Sequence, residues 1–208
     1  ITSFLLTSAY EQLKDRIATN IKIDKQKHIL NVLEEIDSSK KPVSNNQISK
    51  LYATKIKEYY MDKNGNLSTK KSELSSPLFA VEDENNTIQK YAIPISGYGL
   101  WSTLYGFFAL KGDGKTVLGF TIYDHKETPG LGAECEKPWF KNQFKNKSIL
   151  DENGAFVSIG VAKGKYKASE PASKWNNYVD GMSGATITSK GIETFLKKDL
   201  EKYEAFSK

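Results

Sequence analysis

The sequence predicts an α+β fold, in which a twisted antiparallel β-sheet has helices before and after it. Apolar residues recur at helical spacing in the first part of the chain and again near its C-terminus. Between these regions, from about Pro77 to Ala162, short runs rich in β-branched and aromatic residues alternate with polar turns. Helical and strand patterns therefore occupy separate parts of the chain, which is the arrangement typical of α+β proteins.

Three helices are expected before the sheet. Tyr10–Ala18 carries apolar residues at helical spacing, and Asp24 is expected to cap a second helix that the Ser38–Pro42 segment ends. Ser44 or Asn45 is expected to cap a third helix. Its expected inward face consists of Ile48, Leu51, Tyr52, Ile56 and Tyr59.

The expected strands are Leu78–Val81, Thr87–Ile95, Trp101–Leu110, Thr116–Tyr123 and Phe156–Ala162. Polar turns at Glu82–Asn86 and Lys111–Lys115 predict two hairpins among them. Pro138–Phe144 is expected to form a short amphipathic helix, and Lys163–Val179 a long polar loop. A loop of that length is usually functional or mobile.

Composition excludes several functional classes. The 208 residues carry a formal net charge of +5, but Arg16 is the only arginine and no basic cluster has interleaved aromatic residues. A solvated, lysine-rich surface is therefore favoured over a nucleic-acid interface. The single Cys135 cannot form an internal disulfide, and His28 and His125 show no metal-ligand spacing. No metal site is predicted.

The segment Asp180–Ser189, DGMSGATITS, is the strongest candidate for a functional site. The small residues Ser183, Gly184 and Ala185 would let a large group approach the hydroxyl of Thr186. Ile187–Phe206 is expected to form a helix, which places Thr186 where free N–H groups favour an anion. Ordinary N-capping by the serine or threonine is the alternative.

A second candidate is the segment ETPGLG, residues 127–132. Pro129, Gly130 and Gly132 predict a tight loop whose backbone N–H groups could face a ligand, with Leu131 as an apolar side chain at its tip. An ordinary turn with a structural leucine is the alternative interpretation.

DGMSGAT resembles the flavinylation motif D-x-x-(S/T)-G-A-T of a family that comprises NqrC, from the sodium-translocating NADH:quinone reductase, and the related RnfG, from the Rnf complex. ETPGLG resembles the second signature of that family, in the same order along the chain. The resemblance implies FMN joined through a phosphoester to Thr186, beside Ser183, Gly184 and Ala185. The residues that it implies near the flavin ring are Glu127, Thr128, Gly130, Leu131 and Gly132.

Further expectations come from the same resemblance. A magnesium-dependent FAD:protein FMN transferase would attach the flavin and recognise Asp180 and Gly181. Trp101 and Ser102, in a segment more similar to NqrC than to RnfG, are candidate flavin contacts, although Trp101 could instead be a core aromatic residue. No catalytic acid or base is expected, because the redox chemistry belongs to the cofactor.

The resemblance also implies a location and an assembly. Residues 1–9 would be a stub after an N-terminal membrane anchor, and residues 10–208 an extracytoplasmic FMN-binding domain that works with the other subunits of the reductase. Three alternatives stay open: an RnfG protein, an FMN-binding domain of a larger extracellular reductase, and a cofactor-free scaffold with the same fold.

Overall fold

The computed structural model describes residues 2–37 and 42–204, and its centre is a six-stranded antiparallel sheet. The strands are β1 (Lys57–Met61), β2 (Leu67–Ser68), β3 (Ser76–Glu82), β4 (Ile88–Tyr98), β5 (Thr103–Lys111) and β6 (Val117–Asp124). They lie in the order β2-β1-β3-β4-β5-β6. The predicted α+β class with an antiparallel sheet is confirmed.

Helices flank this sheet along the chain. They are α1 (Thr2–Val32), α2 (Asn45–Lys55), α3 (Pro138–Lys141), α4 (Tyr166–Ser169) and α5 (Thr186–Glu201). Short 3-10 turns cover Gly132–Glu136, Asn142–Phe144 and Ala172–Asn177. The predicted short helix that begins at Pro138 is thus confirmed as α3 and the turn after it.

The two faces of the sheet bury different sets of side chains. Because successive residues of a strand point to opposite faces, Tyr91 and Ile93 of β4 pack in one apolar cluster and Ala92 in another. The first cluster includes the apolar face of α5, and the second includes residues of α1 and α2. The sheet is therefore covered by α5 on one side and by the two N-terminal helices on the other.

The first helix, α1, runs without interruption from Thr2 to Val32. The prediction of two helices, over Tyr10–Ala18 and from a cap at Asp24, is therefore wrong. No glycine or proline interrupts this segment, and Asp24 Oδ2 instead lies 3.7 Å from His28 Nε2 one turn later. α1 crosses the predicted boundary between residues 9 and 10. Within residues 2–37 and 42–204, no helix is long and apolar enough to cross a membrane.

The second helix begins as predicted and ends earlier than predicted. Ser44 caps it, since its hydroxyl accepts from Gln47 N–H while the Gln47 side chain accepts from Ser44 N–H. α2 then ends at Lys55, and Tyr59, which was expected on its inward face, lies in β1 opposite Leu78 of β3. Over so short an apolar run, the helical period of 3.6 residues and the strand period of two residues are hard to distinguish. Pairing with β3 decides that Tyr59 is in a strand.

Both predicted hairpins are confirmed. In the β5–β6 turn, Asp113 Oδ1 accepts hydrogen bonds from the backbone N–H groups of Lys115 and Thr116 at 3.0 and 2.8 Å. Such side-chain bonds close a turn without help from the rest of the protein. β5 begins at Thr103, which leaves Trp101 in the turn that precedes it.

The region after β6 differs most from the prediction. Of the predicted strand Phe156–Ala162, only Gly160–Val161 forms a strand, β7, which pairs in parallel with β8 (Tyr178–Val179) in a separate small sheet. Ser158 has a φ of +64°, which interrupts the extended conformation before β7. The main sheet therefore ends with β6. The predicted loop Lys163–Val179 contains α4, a 3-10 turn and β8.

The last helix, α5, is fixed against β4. It begins at Thr186, one residue before its predicted start, and ends at Glu201, whereas the predicted end at Phe206 lies outside the described residues. The carboxylate of Asp199 accepts a hydrogen bond from Ser96 N–H at 2.8 Å, beyond the point where β4 pairs with β3. The predicted inward face is confirmed as buried: Ile192, Phe195, Leu196, Leu200 and Tyr203.

Replacing Asp199 with Ala should lower the free energy of unfolding by roughly 1–2 kcal/mol, because the Ser96 N–H loses a charged acceptor. Urea denaturation followed by circular dichroism measures the change. The control is Glu201→Ala, an exposed carboxylate in the same helix, which should change stability by no more than about 0.5 kcal/mol. Equal effects of the two substitutions would mean that Asp199 does not fasten α5 to the sheet.

Candidate functional site

Three segments that are distant in the sequence meet near the start of α5. They are the Trp101 turn between β4 and β5 (residues 99–102), the Leu131 loop after β6 (residues 127–132) and the motif turn that leads into α5 (residues 183–188). Hydrogen bonds from the first and third segments converge on Glu127 in the second. The fold therefore brings both predicted motifs and the Trp101 region together.

Glu127 is a buried carboxylate, only 6% exposed, with four hydrogen-bond donors around it. One oxygen accepts from the backbone N–H groups of Trp101 and Ser102 at 2.9 and 3.2 Å. The other accepts from Leu100 N–H at 3.3 Å and from the Thr188 hydroxyl at 2.7 Å. Burial by itself would raise the pKa of Glu127, but these four bonds outweigh it and the pKa is lowered. The side chain is therefore a carboxylate at neutral pH.

Two glycines make room for this carboxylate. A Cβ atom at Gly99 would stand 2.6 Å from one oxygen of Glu127, and a Cβ atom at Gly132 would come still closer to the other. Either contact is shorter than any real Cβ contact, so only glycine fits at both positions. Gly132 is itself buried and faces the interior rather than the surface.

The Leu131 loop lies against the motif turn. Its Thr128 is exposed, and the Thr128 carbonyl accepts hydrogen bonds from Leu131 N–H and Ala133 N–H at 3.1 and 3.2 Å. Leu131 is 43% exposed, and its Cδ2 atom lies 2.8 Å from where a Cβ atom of Gly184 would stand. Gly184 has a φ of +70°, a conformation that glycine adopts readily, so it provides both the turn and the space for the leucine.

Thr186 is the exposed first residue of α5. The N-cap residue is Ala185, whose methyl side chain cannot accept a hydrogen bond from the first-turn N–H groups. The alternative interpretation of the motif, ordinary capping by its serine or threonine, is therefore wrong. Among the described residues, no partner is found for the Thr186 hydroxyl, which leaves a nucleophilic group and free helix N–H groups at one place.

The other hydroxyl groups of the motif are placed differently. Thr188 is 1% exposed and donates to Glu127, and Ser189 is buried and accepts from Met182 N–H at 3.1 Å. Ser183 is exposed in the motif turn. An incoming group can therefore reach the hydroxyls of Ser183 and Thr186 but not the buried hydroxyls of Thr188 and Ser189.

A depression of about 260 Å³ lies beside Thr186, and two lysines and two glutamates are among the residues that line it. Lys163 and Lys190 both line it, and Lys190 is one turn along α5 from Thr186. A 2.7 Å hydrogen bond to Glu193 raises the pKa of Lys190, which stays charged. Glu170 and Glu193 line the same depression and balance these lysines, so it is the start of α5, with its free N–H groups, that favours an anion beside Thr186. A larger depression of about 960 Å³ beside α1 is lined by none of the motif residues.

Trp101 is on the surface of the site. Its side chain is 69% exposed, so the interpretation of this tryptophan as a core aromatic residue is wrong. Leu100 in the same turn and Ile187 next to Thr186 are exposed as well. Large apolar side chains on the three converging segments thus give this part of the surface an apolar character that an aromatic ligand could cover.

Asp180 and Gly181 fasten the motif to the chain after β7. The Asp180 carboxylate accepts from the Lys165 ammonium at 2.9 Å and from Tyr166 N–H at 3.0 Å. Gly181 N–H donates to the Gly164 carbonyl at 2.8 Å. These bonds hold the segment that contains Lys163 next to Thr186. Asp180 therefore has a structural task within the chain, which the motif does not reveal.

Three features of the site are absent from the sequence prediction. Thr188, which lies beyond the end of the motif, is a partner of Glu127. Lys190 could have been found, because a residue four positions after Thr186 lies on the same side of the helix. Ser102 also has an internal role, since its hydroxyl accepts from Lys126 N–H at 2.7 Å.

Comparison with known proteins agrees with this geometry. The family model described as FMN-binding domain matches residues 99–201. The chain is 45% identical over 116 residues to the NqrC subunit of the Na(+)-translocating NADH-quinone reductase of Yersinia pestis, a match that covers 56% of this chain and 41% of that protein. It is 33% identical to the protein of the same name from Vibrio vulnificus, with 93% of this chain and 83% of that protein covered.

A solved structure is similar over nearly the whole chain. The crystal structure of the Na(+)-translocating NADH-quinone reductase protein NqrC from Parabacteroides distasonis has a TM-score of 0.79 and 32% sequence identity. The superposition covers 94% of this chain and 96% of that chain. The match to the Yersinia relative nevertheless spans less than half the length of that protein.

Proposed function

This chain belongs to the NqrC family of the Na(+)-translocating NADH-quinone reductase, and we propose that it carries FMN covalently and passes electrons within that sodium-translocating membrane complex. In this proposal FMN is joined through a phosphoester to Thr186. The chain acts as a redox subunit together with the other subunits and has no catalytic acid or base of its own.

The observation that carries the proposal is the state of Thr186. An exposed hydroxyl stands at the first position of a 16-residue helix whose N-cap residue is an alanine. Free N–H groups and the helix dipole favour a phosphate at this place, and Lys163 and Lys190 lie beside it, with Glu170 and Glu193 balancing their charge. The residues present therefore fit the phosphate of FMN.

The flavin ring would lie over the surface that the Trp101 turn and the Leu131 loop form. Leu131 and Trp101 offer apolar contact, while the backbone of Thr128 and Gly130 offers polar groups. The small residues Ser183, Gly184 and Ala185 leave room between the ring and Thr186. Glu127, Gly132 and Ser102 would support this surface from beneath.

Attachment needs a separate enzyme, a magnesium-dependent FAD:protein FMN transferase. The Thr186 oxygen would form a bond to the FMN phosphorus of FAD, the pyrophosphate bond would break, AMP would leave, and the hydroxyl proton would be released. The transferase would recognise the segment that starts at Asp180 and Gly181. The protruding motif turn and the exposed Thr186 suit such a reaction.

Once attached, FMN supplies the chemistry of accepting and releasing electrons. The chain would position the ring through the surface that the Trp101 turn and the Leu131 loop form. Thr186 would keep the cofactor from dissociating, and the free N–H groups at the start of α5 would stabilise the remaining phosphate charge. Because Leu100, Trp101 and Leu131 are exposed, the ring would be held at the surface, where another subunit of the complex would reach it for electron transfer.

The relatives and the solved structure described above are NqrC proteins, which favours NqrC over RnfG for this chain. A cofactor-free scaffold of the same fold is the alternative of another class. The two differ in colour, since a protein produced together with the transferase is yellow only if it holds flavin.

We also propose a location on the basis of the family resemblance. The domain would follow a single N-terminal membrane anchor, with residues 1–9 as the connecting stub, and would lie on the extracytoplasmic side of the inner membrane.

Replacing Thr186 with Ala should give a folded but colourless protein, because the flavin loses its attachment oxygen while alanine remains compatible with a helix. The matched control is Thr188→Ala, which should stay yellow after denaturation because that hydroxyl faces Glu127. Peptide mapping of the parent protein identifies the modified fragment. Flavin on a fragment that lacks Thr186 would overturn the assignment.

Replacing Leu131 with Ala should shift the absorption and fluorescence of the bound flavin while the flavin stays attached, because the ring loses an apolar contact. Leu13→Ala is the control, since Leu13 is exposed to a similar degree but lies in α1 and in none of the three converging segments. An unchanged spectrum in Leu131→Ala would place the ring elsewhere.

Labelling from outside the cell should test the location. Cys135 is fully buried and burial raises the pKa of its thiol to about 12, so this residue will not react. The exposed Glu152 is a better position, and a full-length Glu152→Cys variant should react with a membrane-impermeant maleimide in intact spheroplasts. The parent protein is the control. Reaction only after lysis would exclude the extracytoplasmic side.

A further inference from the structure

We propose that Glu127 is a positioning residue: its buried carboxylate holds the Trp101 turn, the Leu131 loop and the motif turn in one arrangement, so that a flavin attached at Thr186 keeps a single ring orientation. The inference rests on the proposed function. It differs from the expectation that Glu127 itself contacts the flavin ring.

The hydrogen-bonding capacity of Glu127 is already used within the protein. A carboxylate has about four acceptor sites, and Glu127 receives three backbone N–H groups and one hydroxyl. Its surroundings also enclose it, since Gly99 and Gly132 lie against its two oxygens. Glu127 has therefore no free acceptor site to offer a flavin and can act only through the segments that it holds.

Few other hydrogen bonds join these segments. The Trp101 turn closes on itself through Gly99 N–H and the Ser102 carbonyl, and the Leu131 loop closes on Thr128. Between the two, the Ser102 hydroxyl accepts from Lys126 N–H. The bond between Glu127 and the Thr188 hydroxyl joins the Leu131 loop to α5. It thus links the helix that would hold the flavin phosphate to the loops that would hold the ring.

The pair is suited to isosteric substitution. Glu127→Gln keeps the shape of the side chain but replaces one carboxylate oxygen with an NH2 group. That group would face donors that now bond to the oxygen, so their hydrogen bonds would be lost. Thr188→Val keeps the branched shape and removes the hydroxyl donor, whereas Thr188→Ser keeps the donor. Glu136→Gln is the matched control, because Glu136 is an exposed carboxylate in the adjacent 3-10 turn.

The test uses the full chain produced together with the FMN transferase. Intact mass measures attachment, and time-resolved anisotropy of the flavin fluorescence measures the order of the ring. Glu127→Gln and Thr188→Val should keep the mass increase that attached flavin causes. Their flavin anisotropy should decay further than that of the parent protein, through an additional motion of the ring on the order of nanoseconds, which is the timescale of loop motion. Thr188→Ser and Glu136→Gln should resemble the parent protein.

Two further measurements separate positioning from a general loss of stability. Amide hydrogen exchange should speed up at Leu100, Trp101 and Ser102 in Glu127→Gln, while the amides of β4 and β5 stay protected. In the double variant Glu127→Gln, Thr188→Val, the loss of flavin anisotropy should be smaller than the sum of the losses in the two single variants, because the two side chains act through one hydrogen bond.

The possible outcomes are distinct. Absence of flavin from the parent protein would overturn the proposed function itself. Attached flavin with unchanged anisotropy in Glu127→Gln would overturn the positioning role alone. If Glu127→Gln does not fold, Thr188→Val decides, and ring order like that of Thr188→Ser would contradict the proposal.

Discussion

The buried carboxylate of Glu127 is the interaction on which the arrangement of the site depends. A charge away from water is tolerated only where hydrogen bonds replace its hydration, and here four donors do so. Those donors come from two segments that are distant from Glu127 in the sequence. The requirement to satisfy one carboxylate therefore holds three loops close to the start of α5. Gly99 and Gly132 are needed for the same reason, because a side chain at either position would displace the Glu127 carboxylate.

Helix α5 has different tasks at its two ends. Near its C-terminus, Asp199 binds the part of β4 that extends beyond β3, and buried apolar side chains hold the helix against the sheet. At its N-terminus the N-cap residue is Ala185, which provides no side-chain cap, and this typically costs a helix about 1 kcal/mol relative to a good N-cap. A phosphate on Thr186 would provide the missing acceptor. The helix is thus fastened to the sheet near its C-terminus, while Thr186 at its N-terminus is exposed.

Several features of this protein can be predicted from the sequence because they depend on local chemistry. The hairpin turns, the capping box of α2 and the amphipathic face of α5 are of this kind, and so is the positive φ of Gly184. Thr186 stands out through its motif. Tyr59 shows where local pattern is insufficient, because its short apolar run suits a helix as well as a strand and pairing with β3 decides.

The interior of the site could not be predicted in the same way. That Glu127 turns inward depends on Thr188 and on three backbone N–H groups that only the folded chain brings near it. The motif identifies the glutamate but not the direction of its side chain. Trp101 is a similar case, since large aromatic residues are usually well buried, whereas this one is exposed in the turn whose backbone N–H groups donate to Glu127.

The most direct measurement of the central claim is the intact mass of the unaltered protein, produced once with the FMN transferase and once without it. With the transferase, the mass should increase by that of one FMN less one water, and the increase should survive denaturation. Without the transferase, no increase should occur, even with excess FMN. An unchanged mass in the presence of an active transferase would contradict covalent flavin carriage by this chain.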